Sequence, residues 1–115
     1  MKRILTLSAL FISMSLTNIA HAFTPEASPT GSIKRLIAYT KFGNGDVYVQ
    51  LNTNSTSCSH GYFIDKSSAG YESTLSMLLA AYQANTPVTL YANPEKKWAG
   101  SGNSVCELYS VVYSR

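Results

Sequence analysis

The sequence predicts a small, mainly β domain with one α-helix and one disulfide, carried out of the cytoplasm by a leader. Three observations predict it. Short runs alternate apolar and polar residues with a period of two, most clearly where Val47, Val49 and Leu51 oppose Tyr48, Gln50 and Asn52. Only one run, about residues 69–85, repeats apolar residues at helical spacing. The first twenty-two residues have the build of a secretory signal peptide, and both cysteines lie beyond it.

Met1-Lys2-Arg3 is followed by an apolar run from Ile4 to Leu16 and closes on Ala20-His21-Ala22. The run is too short for a stable membrane span, and small side chains at Ala20 and Ala22 fit a signal peptidase, so cleavage is expected between Ala22 and Phe23. An uncleaved anchor is the competing reading, against which five Ser and Thr residues between Thr6 and Thr17 thin the apolar stretch. Removing the leader removes Lys2 and Arg3, so the net charge of +3 falls to +1. A nearly neutral chain lacks the clustered cations that phosphate neutralisation needs, which argues against nucleic acid as a partner. Stable membrane insertion of the exported part is not expected either.

A domain of this size buries only roughly 60–65% of its unfolded surface, so it needs an added constraint. Cys58 and Cys106 offer one: an even count in an exported chain points to a disulfide, and two cysteines allow a single intramolecular pairing. A metal site would need further soft ligands. Only His60 is at hand, with no Cys-x-x-Cys pair, so no metal and no cofactor is expected.

Residues 23–31 hold Pro25, Pro29 and Gly31 without apolar period and read as a flexible leader to the domain, which spans residues 32–115. Ser32 to Lys41 supplies a first strand, ended by Phe42-Gly43-Asn44-Gly45-Asp46 as a hairpin turn. The alternating run from Val47 is the second strand. A polar loop, Asn52 to Ser59, carries Cys58 and the sequon Asn54-Ser55-Thr56, which matters only in a eukaryote. Gly61 to Asp65 reads as a third strand. Ser67 and Ser68 are N-cap candidates for the helix, whose Leu75, Leu78, Leu79 and Tyr82 are expected to face the core and which Pro87 must end. Val88 to Ala92 is a fourth strand, Asn93 to Asn103 a long irregular loop with Trp98, and Cys106 to Tyr113 a fifth strand. The order β-β-β-α-β-β is that of an OB-fold, a five-stranded Greek-key barrel with its helix between strands three and four. An open antiparallel sheet backed by one helix fits the same pattern.

Three segments also carry a resemblance. Ser57-Cys58-Ser59-His60-Gly61-Tyr62-Phe63-Ile64, the helix from Leu75 to Tyr82 leading into Pro87-Val88-Thr89-Leu90-Tyr91, and Trp98-Ala99-Gly100 before Val105-Cys106-Glu107-Leu108 resemble, in their layout, the receptor-binding B subunits of bacterial AB-type toxins. The likeness is particularly to the subtilase-cytotoxin and typhoid-toxin sort and their toxin-less relatives. The resemblance covers residues 32–115. It implies a homo-oligomer, a pentamer whose helices line a central pore, with an outer surface that binds a glycan or glycoprotein receptor; the export signal implies a secreted or periplasmic product. This chain shows no enzymatic partner of its own.

Sugar recognition needs an aromatic face for the apolar side of a pyranose, with amides and hydroxyls for its equatorial groups. Tyr48, Gln50 and Asn52 on one strand face, Ser59 and His60 beside the disulfide, and Trp98 in the loop between strands four and five are the candidates. Trp98 serves equally well as a cap folded over the end of the barrel. Catalysis is not expected: cleavage leaves one histidine, the carboxylates form no acid and base pair in sequence, and a Cys58–His60 dyad would need a free thiolate. The competing function is a periplasmic OB-fold protein that binds a protein or small ligand without sugar recognition or ring assembly.

Overall fold

The structure, a computed structural model, describes residues 22–115. The signal peptide expected over residues 1–22 lies, apart from Ala22, outside the described residues. The elements are β1 (Glu26–Ala27), β2 (Ile33–Ala38), β3 (Val47–Leu51), β4 (Gly61–Ile64), α1 (Tyr71–Ala84), β5 (Thr89–Lys97) and β6 (Val105–Val112). The strands form one sheet in the order β1-β5-β6-β4-β3-β2. Every neighbouring pair is antiparallel except β4 with β6.

The alternation in β3 predicts its faces correctly. Val47, Val49 and Leu51 are buried in the main core with Tyr62, Leu78, Val88 and Leu90, while Tyr48 and Gln50 face the other way. The turn before β3 bends through left-handed backbone at Gly43, Asn44 and Gly45. A Cβ on Gly43 would lie 2.2 Å from the Asp46 carboxylate, so glycine is required there for space as well as for its positive φ. β4 is buried along its whole length because both of its faces are covered. Tyr62 and Ile64 join the main core, whereas Phe63 packs with Trp98 and Val105 in a second cluster.

Six strands stand where five are expected, and the extra one comes from the segment read as a flexible leader. Glu26 and Ala27 pair with Ala92 and Tyr91, and Gly31 bridges Val88. The Ser28 amide donates to the Leu90 carbonyl at 2.7 Å and the Leu90 amide to Ser28 Oγ at 2.9 Å. Unpaired amides and carbonyls on the outer edge of β5 attract this run, and Pro25 and Pro29 flank the paired residues without occupying them. The Glu26 carboxylate then accepts the Ser57 amide at 3.2 Å and its hydroxyl at 3.1 Å, fastening β1 beside the disulfide.

Cys58 and Cys106 are bonded as expected, with Cα atoms 5.4 Å apart across 48 positions of sequence. β5 runs on through much of the expected loop. Its register jumps between Asn93 and Lys97, so Pro94, which has no amide to donate, sits in an irregularity rather than in the ladder.

The helix is the expected one, turned about its axis. Its buried residues are Leu78 and Ala81, with Tyr71 and Leu75 packed against the core, while Leu79 is 49% and Tyr82 46% exposed. Ala81 allows close approach to the sheet, and the larger Tyr82 stays outside. The helix also begins later than its serines suggest. Ser67 gives its amide and hydroxyl to the Asp65 carboxylate instead of capping, and Gly70 precedes the first turn with no side-chain cap. At the other end Asn85 turns left-handed and the Thr86 amide closes on the Ala81 carbonyl at 2.9 Å.

Leu78→Ala should cost about 2–5 kcal/mol in urea unfolding, and Leu79→Ala less than about 1 kcal/mol. Equal losses would mean that the helix presents its other stripe to the core. Replacing both cysteines by serine should remove roughly 4 kcal/mol by the loop-entropy argument, again read by urea unfolding.

Candidate functional site

On the outer side of the sheet, away from the main core, lies a pocket of about 370 Å³. Arg35 and Ile37 of β2, Tyr39 just after it, and Tyr48 and Gln50 of β3 supply one wall. The opposite wall is His60, ahead of β4, with Ser101 and Asn103 from the loop between β5 and β6. Trp98 lies beneath.

Trp98 is 6% exposed, so the structure realises the folded-down position. Its ring lies near-parallel to Tyr48 and Phe63 at centroid separations of 5.9 and 6.0 Å, meets Phe42 edge-on at 5.3 Å, and has Tyr39 tilted against it at 5.5 Å. A Cβ on Gly100 would approach the indole to 2.5 Å, which shows how closely the loop backbone covers the ring. The indole Nε1–H donates to Asp46 Oδ2 at 3.0 Å, and Asp46 Oδ1 accepts the Lys66 amide at 3.1 Å. Asp46 is itself 5% exposed, and its carboxylate is hydrogen-bonded on both oxygens.

Of the residues nominated from sequence, Tyr48, Gln50, His60 and Trp98 come together in the pocket wall. Asn52 and Ser59 do not line it. Asn52 follows the end of β3 and is exposed, with its amide on the Ser32 carbonyl at 3.1 Å. Ser59 Oγ lies 3.2 Å from His60 Nδ1 and so touches the pocket only through that ring. The Tyr48 hydroxyl donates to the His60 carbonyl, joining the two walls. Burial pushes the Tyr48 phenol above its ordinary pKa, with the Arg35 charge pulling the other way, so it stays a neutral donor.

Sequence reasoning missed Arg35, Tyr39, Ser101 and Asn103. Arg35 was hidden by a register shift between Ile33 and Arg35, which breaks the alternation that would have shown its face. Ser101 and Asn103 sit in an irregular loop where periodicity carries no information.

A second hollow, about 380 Å³, lies between the β2–β3 turn and the turn after β4, lined by Asn44, Asp46, Asp65, Lys66 and Ser67 with Gly43. The Lys66 ammonium is 4.3 Å from the centre of the Tyr71 ring. Among the described residues no group of three or more His, Cys, Asp or Glu could hold a metal ion, and no helix is long and apolar enough to cross a membrane. Asn54 of the sequon is structurally committed, accepting the Leu51 amide at 2.9 Å, with Ser55 buried against the Tyr62 hydroxyl. No known protein family, characterised protein or solved structure matches the chain.

The Ser67 amide, and then its hydroxyl, hold the Asp65 carboxyl below the usual carboxylate range, with the Lys96 charge adding to them. A depressed pKa contributes stability that is present above the unfolded value and lost as pH falls through the folded one. Ser67→Ala removes the 2.8 Å hydroxyl bond and keeps the 3.0 Å amide bond. The Asp65 midpoint in an NMR titration should therefore rise part of the way to normal, and the stability lost through Asp65 on acidification should become smaller and be complete at a higher pH; an unmoved midpoint would contradict this account.

Proposed function

We propose that the chain is an exported, non-catalytic binding module whose outer pocket takes a glycan, similar in role to the receptor-binding B subunits of AB-type toxins and their toxin-less relatives. The observation that carries this reading is the composition of the pocket wall. Gln50, Ser101, Asn103 and His60 offer donors and acceptors around a hollow of about 370 Å³, with the aromatic rings of Tyr39 and Tyr48 beside them. That is the mix a pyranose calls for: amides and hydroxyls for its equatorial groups, an apolar surface for its ring. Trp98 supports the wall from below, so stacking falls to the tyrosines.

The barrel reading belongs to the same proposal. β1 and β2 belong to one N-terminal run that pairs with β5 at its start and β3 at its end, at opposite margins of the sheet. A run shared by both margins is how a small OB-type barrel removes its edges. The helix lies between the third and fourth of the five long strands, and the pocket lies where OB-folds commonly bind, across the sheet face and the loop joining the last two strands.

Exposed apolar surface supports assembly from several copies. Leu79 and Tyr82 stand out from a helix whose only charged residue is Glu72, and Tyr109 and Tyr113 are exposed on the last strand and just beyond it. Linked shallow sites gain avidity without new contacts. Phe23, which cleavage after Ala22 would make the first residue, packs edge-on against Tyr109 at 5.3 Å.

The test is the processed chain, residues 23–115, applied to a printed array of hexoses, N-acetylhexosamines, deoxyhexoses and acidic sugars as mono- and oligosaccharides. Selective binding is expected, weakened about tenfold or more by Gln50→Ala, as truncation of a central contact does. An array on which the protein binds nothing overturns the glycan reading, and light scattering that finds only monomer removes the assembly.

A further inference from the structure

We infer that Asp46 is a positioning residue for the outer pocket: its carboxylate, which does not line that pocket, fixes the Trp98 ring from behind and through it the wall that holds Tyr39 and Tyr48. The inference rests on the glycan-binding reading of the same pocket.

Three segments meet at this carboxylate. The β2–β3 turn wraps it, with the Asp46 amide on the Phe42 carbonyl at 3.0 Å, the Tyr39 amide on the Asp46 carbonyl at 2.9 Å, and Gly43 too close to carry a side chain. Lys66, in the turn that follows β4, gives its amide to Oδ1. Trp98, at the mouth of the β5–β6 loop, gives its indole N–H to Oδ2, and its own amide donates to the Val105 carbonyl at 2.9 Å. An indole ring without that bond loses its directional restraint and is held by packing alone, against its aromatic neighbours, Val105 and the Gly100 backbone, and ring contacts are tolerant of angle. A directional bond between a buried donor and a buried charged acceptor is not tolerant. Tyr48 lies against Trp98 and bonds the His60 carbonyl, so the orientation of the indole reaches both walls.

Asp46→Asn separates this role from a merely structural one. Two N–H groups, one on each oxygen, require two acceptors, and an amide offers one oxygen and one NH₂ group. One of the two donors then faces another donor, and in either orientation of the amide the indole N–H loses its charged acceptor, facing the NH₂ group or keeping only a neutral oxygen. Trp98 is the only tryptophan, so its near-ultraviolet circular dichroism and its fluorescence report the ring directly. The expected result for Asp46→Asn is a native far-ultraviolet spectrum, a changed Trp98 signal, and binding to the sugar array about tenfold weaker, the scale of a lost charge-assisted bond. Gln50→Ala should weaken binding with the Trp98 signal unchanged.

Asp46→Asn that binds the array as tightly as the wild type overturns this inference alone. Wild-type protein that binds no sugar overturns the glycan reading and this inference with it. If Asp46→Asn fails to fold, the wild-type protein decides by NMR: saturation with the tightest array sugar, free in solution, should shift the Trp98 indole N–H resonance and slow its exchange, and an unmoved resonance overturns the proposal.

Discussion

One indole N–H and one carboxylate hold the outer side of the sheet together. In most small β domains one face of the sheet packs and the other meets water, and β3 obeys that rule with its alternating burial. β4 departs from it because Trp98 folds over the outer face and buries Phe63 there. A side chain of this size hides on the order of 200 Å² of surface, which places it among the largest single contributions a small domain can draw on. The polar end of the ring has to be satisfied where water is excluded. Asp46 does that, and the cost of burying a carboxylate is met by two N–H donors rather than by a cation.

The disulfide and the N-terminal run solve a different problem, that of closing a short chain with few buried residues. Cys58 belongs to a 3-10 turn that contributes little burial of its own, and the covalent link ties it to β6 in the middle of the sheet. Ser57 beside it becomes an anchoring point: its amide and hydroxyl take the Glu26 carboxylate and its carbonyl takes the Lys97 ammonium at 2.8 Å. Both contacts are solvent-exposed and individually weak. Their value lies in register, since each fixes the phase of a neighbouring strand, β1 in one case and the far end of β5 in the other.

How far the chain could be read without coordinates depended on whether a signal was local. The alternation of β3, the helix between the third and fourth long strands and the cysteine pairing were legible, because period, length and parity are properties of the sequence itself. The partnership of residues 26–31 with β5 was not, since it depends on what an unpaired strand edge elsewhere requires. The face of the helix was misjudged for a related reason. Leu75, Leu78, Leu79 and Tyr82 make a good apolar stripe, but the sheet accepts the stripe through Tyr71, Leu75, Leu78 and Ala81, where a small residue allows contact. For the pocket, the regular strand gave Tyr48 and Gln50, and the irregular parts hid Arg35, Ser101 and Asn103. Binding surfaces gather at such irregularities because regular backbone spends its polar groups on itself.

The burial of Trp98 changes what kind of pocket this is. An exposed indole would stack on a sugar directly and would be costly to leave uncovered in the free protein. A buried one instead serves as a rigid floor, and the segments that meet at Asp46 are fixed before any ligand arrives. Preformed walls reduce the ordering cost of binding, which matters most where the hollow is shallow and each polar contact competes with water. On the proposed reading, the free protein already carries the shape it binds with, and weak individual sites are left to gain strength from the number of copies assembled rather than from closure around the sugar.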